Sequence, residues 1–286
     1  MAKHIRIAHS PDADDRFMFW PLREGLIENT NYTFSFQEAN TAELNSICKQ
    51  GDVEICAISA AYYAKAHEKW QPLLMGSSVG DGYGPVVVTK KGSGVKLSLG
   101  AMNSIKLLSP GLSTTAHTVL TKGLGYQFKS VEEVSISPME RVFQVLDTQT
   151  EPCAALLIHE GRLLFENFGC ERLLDLGVDW EQKTGTSLPL GINVISRKLE
   201  QSEREELSQL LQDSFQYAAK HRDEFVEIAQ KKDSPYFTDL NPSELKDYLD
   251  LYANQTTGSM SEKDKKAMDL LINGSQVENR ISIDWI

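Results

Sequence analysis

Short apolar runs of strand length alternate with helical patterns along the chain, and this alternation starts twice. The first series predicts strands at "HIRIA" (4–8), "YTFSFQ" (32–37), "VEICAI" (53–58) and "PLLMGS" (72–77). Among the helical segments between them, "TAELNSICKQG" fits a helix with Thr41 as N-cap and Gly51 at its end. This alternation predicts a mostly parallel sheet covered by helices.

The second series begins at "GPVVVTKK" and predicts strands at "SIKLLS" (104–109), "VEEVSIS" (131–137) and "CAALLI" (153–158). We expect "GINVISRK" (191–198) to lead the chain back to the first lobe, so that the two crossings between the lobes lie near 90–95 and 190–196. The remainder is helical, with helices predicted at 242–253 and 261–273. The predicted fold class is α/β, with two lobes around a ligand cleft and a helical C-terminal segment. We expect 1–93 plus 197–286 to form a large lobe and 94–196 a small lobe.

The composition narrows the class of protein. A net charge of −11 over 286 residues, without a lysine and arginine cluster, argues against nucleic-acid binding. The start "MAKHIRIAHS" has no apolar signal segment, and no later stretch resembles a membrane span. Cys48, Cys56, Cys153 and Cys170 form no C-x-x-C pair, so we expect four reduced thiols. These features predict a cytoplasmic protein without membrane or nucleic-acid partners.

Four loops carry hydroxyl or ionisable side chains where a predicted strand gives way to a helix. They are "HSPDADDRF", "ISAAYYA", "LLSPGLSTTAHTVL" and "HEGR". Because loops at the carboxyl ends of parallel strands form the ligand crevice, we predict that the four meet in a cleft between the lobes. The candidate ligand contacts in the first three loops are Ser10, Asp14, Ser59, Ser113, Thr114 and Thr115.

Two of these loops have a structural and a functional interpretation. Ser113, Thr114 and Thr115 begin a helix, whose free N–H groups favour a carboxylate or phosphate, although ordinary N-capping also explains them. In "SPDADD", we expect one of Asp14 and Asp15 to cap the next helix and the other to face a ligand. The spacing of an EF-hand is missing, so no metal site is predicted.

His159 follows a predicted buried strand directly. Since imidazole exchanges a proton near neutral pH, a histidine at the floor of a cleft suits general acid–base catalysis. The alternative is a hydrogen-bonded histidine that merely ends a strand. Glu160 and Arg162 are nearby candidates to orient or charge-balance the ring, and Arg162 is also a candidate substrate contact. No Ser–His–Asp set can be recognised from spacing.

Taken together, the motifs resemble the 1,4-dihydroxy-6-naphthoate synthase family of the futalosine route to menaquinone. The similarity runs from "SPDADDRFMF" through "GDGYGPVVV" and "SPGLSTTAHTVL" to "YANQTTGSMSEKD". The most specific part is "IHEGR" followed by "DLGVDWEQKTG" and "PLG". The family usually reads S-P-C-P-N-D-T-F where this chain has "SPDADDRF", so Asp14 replaces an Asn and Arg16 a Thr.

The resemblance implies the fold of type II periplasmic binding proteins. It implies cyclic dehypoxanthinyl futalosine, a small carboxylate, as substrate, and no metal or organic cofactor. It further implies that His159 is the catalytic base and that Asp15 matches the family's acid. The Thr114–Thr115 turn would hold an acidic or hydroxylated part of the ligand, and Asn254, in "LYANQTT", would touch it.

Three other functions use the same architecture. A solute-binding protein of a transporter needs export or a lipid anchor, which this N-terminus does not predict. The related dehydratase that acts on chorismate lacks the HEGR element, so His159 counts against it. A sensor that binds a small carboxylate without reacting uses the same donors and stays an alternative.

Overall fold

A computed structural model describes residues 2–97, 104–135, 140–274 and 279–286. The strands, in chain order, are β1 (Lys3–His9), β2 (Tyr32–Glu38), β3 (Ile55–Ser59), β4 (Trp70–Pro72), β5 (Ser78–Gly80), β6 (Val86–Lys90), β7 (Lys106–Ser109), β8 (Ser130–Glu133), β9 (Cys153–Leu157), β10 (Cys170–Asp175) and β11 (Leu188–Ser196). The helices are α1 (Ala13–Arg23), α2 (Thr41–Gln50), α3 (Tyr63–Ala66), α4 (Thr115–Thr118), α5 (Glu140–Asp147), α6 (Gly161–Leu164), α7 (Leu176–Thr184), α8 (Gln201–Lys220), α9 (Arg222–Ala229), α10 (Pro242–Tyr252), α11 (Gln255–Gly258) and α12 (Glu262–Asn273).

The described strands form two sheets, as the double start of the pattern predicts. The first has the order β2-β1-β3-β11-β4, with β5 also paired to β11, and the second has the order β10-β6-β9-β7-β8. The α/β class with two sheets is confirmed. The expectation of mostly parallel sheets is wrong, because β11 is antiparallel to β3, β4 and β5, and β6 is antiparallel to β9 and β10.

The pairing shows where the chain changes sheets. It leaves the first sheet between Gly80 and Val86 and returns to it between Asp175 and Leu188. Both changes come earlier than the crossings expected near 90–95 and 190–196, because β6 pairs within the second sheet and β11 within the first. The lobe limits 1–93, 94–196 and 197–286 stay a prediction, and we propose that each lobe follows the membership of its sheet.

The C-terminal helices pack on the first sheet. On one of its faces, Leu207 and Leu211 of α8 and Leu245 of α10 share a buried cluster with Ile5 of β1 and Phe17 of α1. On the other face, α2 and α12 contribute Leu44 and Met268 to a cluster with the β3 strand. Burial of this apolar surface is the main force that holds the helical segment to the first sheet. The helical segment thus packs on the first sheet, while its assignment to the large lobe stays a prediction.

Two predicted strands differ in extent from the observed ones. The prediction of a strand at "PLLMGS" (72–77) is wrong except for Pro72, because 73–77 connect β4 to β5 and Gly76 turns the chain there with φ +80°. A Cβ at this position would lie 1.9 Å from Nδ2 of Asn193, so only glycine fits. The predicted strand 131–137 corresponds to β8, and its last two residues lie outside the described residues.

Candidate functional site

A cavity with an empty volume of about 830 Å³ lies where the loops of the two sheets meet. Its apolar wall includes Met18, Leu44, Ile58, Ile158, Leu190 and Ile192. Among the predicted site residues, those that line it are Ser10, Asp14, Asp15, Ser59, Thr114, Thr115 and His159. The prediction that loops from both halves of the chain converge is therefore correct. No lysine or arginine is among the described residues that line this cavity, so a bound acid would rely on neutral donors.

His159 bridges the two sides of the cleft. It follows β9 of the second sheet, and its backbone has φ 52°, a left-handed conformation that few residues other than glycine adopt. Nδ1 lies 3.0 Å from Oδ2 of Asp12, in the loop after β1, and Nε2 lies 3.1 Å from Oγ1 of Thr41, at the start of α2. The ring is thus held at both nitrogens by residues from the first-sheet side, which a histidine that only ends a strand does not require.

Carboxyl groups crowd the same region. The hydroxyl of Tyr248 donates to Oδ1 of Asp14 at 3.0 Å, and the N–H of Ser10 donates to Oδ2 of Asp15 at 2.7 Å. Burial, and then the charge of Asp12, raises the pKa of Asp14 to about 6. Burial, and then the charge of Asp14, raises the pKa of Asp15 well above its ordinary value. Burial therefore disfavours the ionised form of both carboxyl groups.

The capping alternative for Asp14 and Asp15 is wrong for both residues. Helix α1 begins at Ala13, and its N-cap residue is Asp12, whose side chain makes no capping hydrogen bond. Both later aspartates lie in the first turn, where they line the cavity. Glu160, beside His159, also has a raised pKa, caused by burial and then by the charge of Asp12.

The hydroxyls of the Thr114–Thr115 turn are already engaged. Thr114 Oγ1 donates to the carbonyl of Gly111 at 2.7 Å and accepts from the N–H of His117, so Thr114 is the N-cap of α4. Thr115 Oγ1 donates to the carbonyl of Leu190 at 2.7 Å and accepts from the N–H of Ala61. A ligand at this turn would meet methyl groups and backbone N–H groups rather than free hydroxyl protons.

Three predicted contacts lie outside the cavity. The side chain and carbonyl of Ser113 accept hydrogen bonds from Nδ2 of Asn45, both at 3.1 Å. Arg162 Nη1 donates to Oδ2 of Asp175 at 2.6 Å and to the carbonyl of Gly84 at 2.5 Å, which ties α6 to the segment before β6. Asn254 caps α11, with Oδ1 accepting from the N–H of Thr256.

Three residues that arrange the site were not among the predicted site residues. Asp12 and Thr41 hold His159, and Asn45 links the side chain of Ser59 to Ser113 across the cleft. For Thr41 a signal existed: Asn40, one residue earlier, is the true N-cap of α2 and leaves the threonine hydroxyl available. The contacts of Asp12 with His159 and of Asn45 with Ser113 gave no local signal, because His159 and Ser113 follow strands of the second sheet.

A second cavity, with an empty volume of about 910 Å³, lies on the other side of His159. His159 and Thr41 line both cavities. The lining of the second is more polar and includes Asp12, Arg16, Asn40, Glu140 and Glu160. Arg16 is held there by an ion pair with Glu38 and by donation to the carbonyl of Phe237. The imidazole therefore borders both the first, mostly apolar cavity and the second, more polar cavity.

Within the described residues, no cluster of three or more histidine, cysteine, aspartate or glutamate side chains is arranged to hold a metal ion. None of the described helices has the length and apolar character needed to cross a membrane.

A family model described as "Menaquinone biosynthesis" matches residues 5–275. The chain belongs to this menaquinone biosynthesis family. Two curated relatives are named 1,4-dihydroxy-6-naphthoate synthase. The one from Thermus thermophilus is 27% identical over 92% of this chain and 91% of its own length. The one from Streptomyces coelicolor is 25% identical over 98% of this chain and 95% of its own length.

Solved structures show the fold to which the chain is similar. A protein from Archaeoglobus fulgidus has a TM-score of 0.80 and 33% identity, covering 94% of this chain and 95% of that one. A protein from Candida albicans, described as having the generic periplasmic binding protein fold, has a TM-score of 0.65 at 13% identity over 94% of this chain and 90% of that one. The predicted periplasmic-binding-protein-like fold is confirmed.

Proposed function

We propose that this protein is a 1,4-dihydroxy-6-naphthoate synthase that cleaves cyclic dehypoxanthinyl futalosine, with His159 as general base. The two curated relatives of that name support the reaction, since the similarity extends over almost the whole chain. The observation that carries the role of His159 is its position between the two cavities, with one ring nitrogen on Asp12 and the other on Thr41.

In the proposed site, the first cavity, whose wall is mostly apolar, holds the aromatic part of the substrate. The second, more polar cavity holds the sugar-derived part. Nε2 of His159 accepts a proton from the substrate, since Nδ1 is engaged with Asp12. Asp15 is the proposed acid, because a buried carboxyl with a raised pKa keeps its proton and can donate to an oxygen on which negative charge develops.

The remaining predicted contacts divide into two groups. Ser10, Asp14 and Ser59 are proposed to contact the substrate directly, and Thr114 and Thr115 to contact it through their backbone and methyl groups. Ser113, Arg162 and Asn254 support the cleft from outside the cavity, through hydrogen bonds to neighbouring segments.

The test is conversion of the cyclic futalosine derivative, followed by detection of a naphthoate product. In His159→Asn the amide can still form hydrogen bonds but cannot accept a proton at neutral pH. Because a positioned acid–base group contributes about 10²–10⁴-fold, we expect kcat to fall at least a hundredfold while ligand binding survives.

The matched control is His221→Asn, which removes a histidine that stacks on Tyr217 at the end of α8. This variant is expected to keep the wild-type kcat. A folded His159→Asn protein with near-normal kcat would show that His159 is not the base. Binding of the substrate without conversion by the wild-type protein would favour a sensor.

A further inference from the structure

The carboxylate of Asp12 is turned away from its ordinary helix-capping partners. Asp12 is the N-cap residue of α1, a position where aspartate normally accepts a hydrogen bond from an N–H of the first turn. Here the side chain makes no capping hydrogen bond, and Oδ2 lies 3.0 Å from Nδ1 of His159. Its partner is therefore the imidazole on the opposite sheet.

Hydrogen-bond accounting then defines which nitrogen carries the proton. A carboxylate oxygen without a proton can only accept, so Nδ1 of the imidazole is the donor in the contact with Oδ2 of Asp12. Nε2 is left with a free lone pair and accepts from the hydroxyl of Thr41 at 3.1 Å. This is the tautomer that a base acting through Nε2 needs.

The other ionisable groups around the ring leave this role to Asp12. Asp14 approaches from α1 and Glu160 is the next residue in the chain, and burial raises the pKa of both. Asp15 is on the same turn of α1 as Asp14 and has a raised pKa as well. Asp14 accepts from the hydroxyl of Tyr248, Asp15 accepts from the N–H of Ser10, and the side chain of Glu160 is hydrogen-bonded to Asp12 itself. Of the described carboxyl groups, Asp12 is therefore the one in contact with Nδ1.

The backbone of His159 supplies an independent reason for a fixed ring. Its φ of 52° is one of two positive values at non-glycine residues in the described chain. A strained conformation of this kind persists only where the surroundings determine it, and it occurs often at functional sites. The hydrogen bonds to Asp12 and Thr41 are contacts that can hold it.

We propose that Asp12 is a positioning residue that fixes His159 as the Nδ1–H tautomer and aims Nε2 at the substrate. This inference rests on the proposed function, in which His159 is the base. Asp12 reaches its partner across the cleft, from the loop after β1 to the turn after β9.

The experiment compares the wild-type protein with Asp12→Asn and Asp12→Glu. An asparagine can either accept from Nδ1 or donate to it, so the preference for one tautomer is lost. We expect kcat of Asp12→Asn to fall tenfold or more with KM changed less than threefold, and Asp12→Glu to recover part of the loss. Nitrogen-15 spectra of histidine-labelled protein, with the His159 signal assigned by its absence in His159→Asn, should show a protonated Nδ1 in the wild type and a mixture in Asp12→Asn.

The control is Asp264→Asn, which removes a buried carboxylate that caps α12. It should lower the melting temperature and leave kcat and the His159 spectrum unchanged.

Wild-type kcat in folded Asp12→Asn, or a wild-type His159 whose Nδ1 carries no proton, would overturn the proposal. If Asp12→Asn does not fold, the wild-type spectrum and Asp12→Glu decide. A protonated Nδ1 in a protein that does not convert the substrate would refute the proposed function and leave the assignment of Asp12 to the tautomer intact.

Discussion

Gly111 sets how closely the two sides of the cleft approach at α2. It lies in the loop after β7 with φ +149°, and a Cβ built on it would be 2.9 Å from the Cβ of Ala42. Contacts this short do not occur between real side chains, so the neighbouring segment would have to move. Ala42 is next to Thr41, which holds His159, so the displacement would reach the proposed base directly.

We therefore expect Gly111→Ala to disturb the site more than the fold. A displacement of a few tenths of an ångström at Thr41 and His159 should lower kcat/KM about tenfold or more. The control is Gly92→Ala, where φ is +77° but open space surrounds the new Cβ, so only backbone strain is added. Steady-state kinetics should show the loss of kcat/KM in Gly111→Ala alone, and thermal melting should show a loss of stability in both variants. Equal kcat/KM in the two would contradict this role of Gly111.

Single residues also show where sequence reasoning stops. His159 was predictable as a candidate because an ionisable side chain directly after a buried strand is visible in the sequence. Its pairing with Asp12 was not, because that contact depends on how the two sheets face each other. Arg162, three residues further on, was a weaker candidate for the site, and its guanidinium forms an ion pair with Asp175.

At the scale of elements, the end of β1 and helix α1 share one buried histidine. His9 donates from Nδ1 to the carbonyl of Ser10 at 2.6 Å, and Nε2 accepts from Nη2 of Arg23 at 3.1 Å. Burial lowers the pKa of His9 to about 4, so the ring is neutral in the folded protein. Protonation would put a charge beside Arg23 and remove the acceptor that it uses.

This arrangement predicts a defined pH dependence of stability. The unfolded chain takes up a proton at His9 near pH 6.5 and the folded protein only near pH 4. The unfolded state thus binds more protons between these values, and the contribution of neutral His9 is lost as the pH falls through this window. In urea titrations, the stability difference between wild type and His9→Gln should be largest at pH 7 and shrink toward pH 4. His4→Gln, on the same strand, is the control, and a constant difference for His9→Gln would contradict the account.

Element boundaries were predictable where local chemistry decides them. The end of α2 at Gly51 is confirmed, since that residue adopts a left-handed φ of 74°. The start was misplaced by one residue, because Asn40 and Thr41 are both good N-cap residues. Glu43 settles the choice: its side chain accepts from the N–H of Asn40 and completes a capping box.

At the scale of the whole molecule, the double start of the strand–helix pattern correctly gave two sheets and the α/β class. The relative directions of the strands could not be predicted, because a strand that enters from the other sheet carries the same apolar pattern in either direction. Strand β11 illustrates this: it lies beside β3 in the middle of the first sheet and runs antiparallel to it. Convergence of the four loops was predictable from their places at strand ends. The hydrogen bonds that join the two sides of the cleft were not predictable.

The four cysteines are distributed in a way that makes them internal reporters. Cys48 and Cys56 lie in α2 and β3 of the first-sheet half, whereas Cys153 and Cys170 lie in β9 and β10 of the second. All four are buried, and burial raises the pKa of every thiol, so the reactive thiolate is scarce in the folded protein.

An alkylating reagent should therefore label these cysteines only when the half that contains them opens. In mildly denaturing conditions, mass spectrometry should find the labels in pairs, one pair for each half, and the order in which the pairs appear would rank the stabilities of the two halves. Labelling of all four cysteines at the same time would instead mean that the two halves unfold as one cooperative unit.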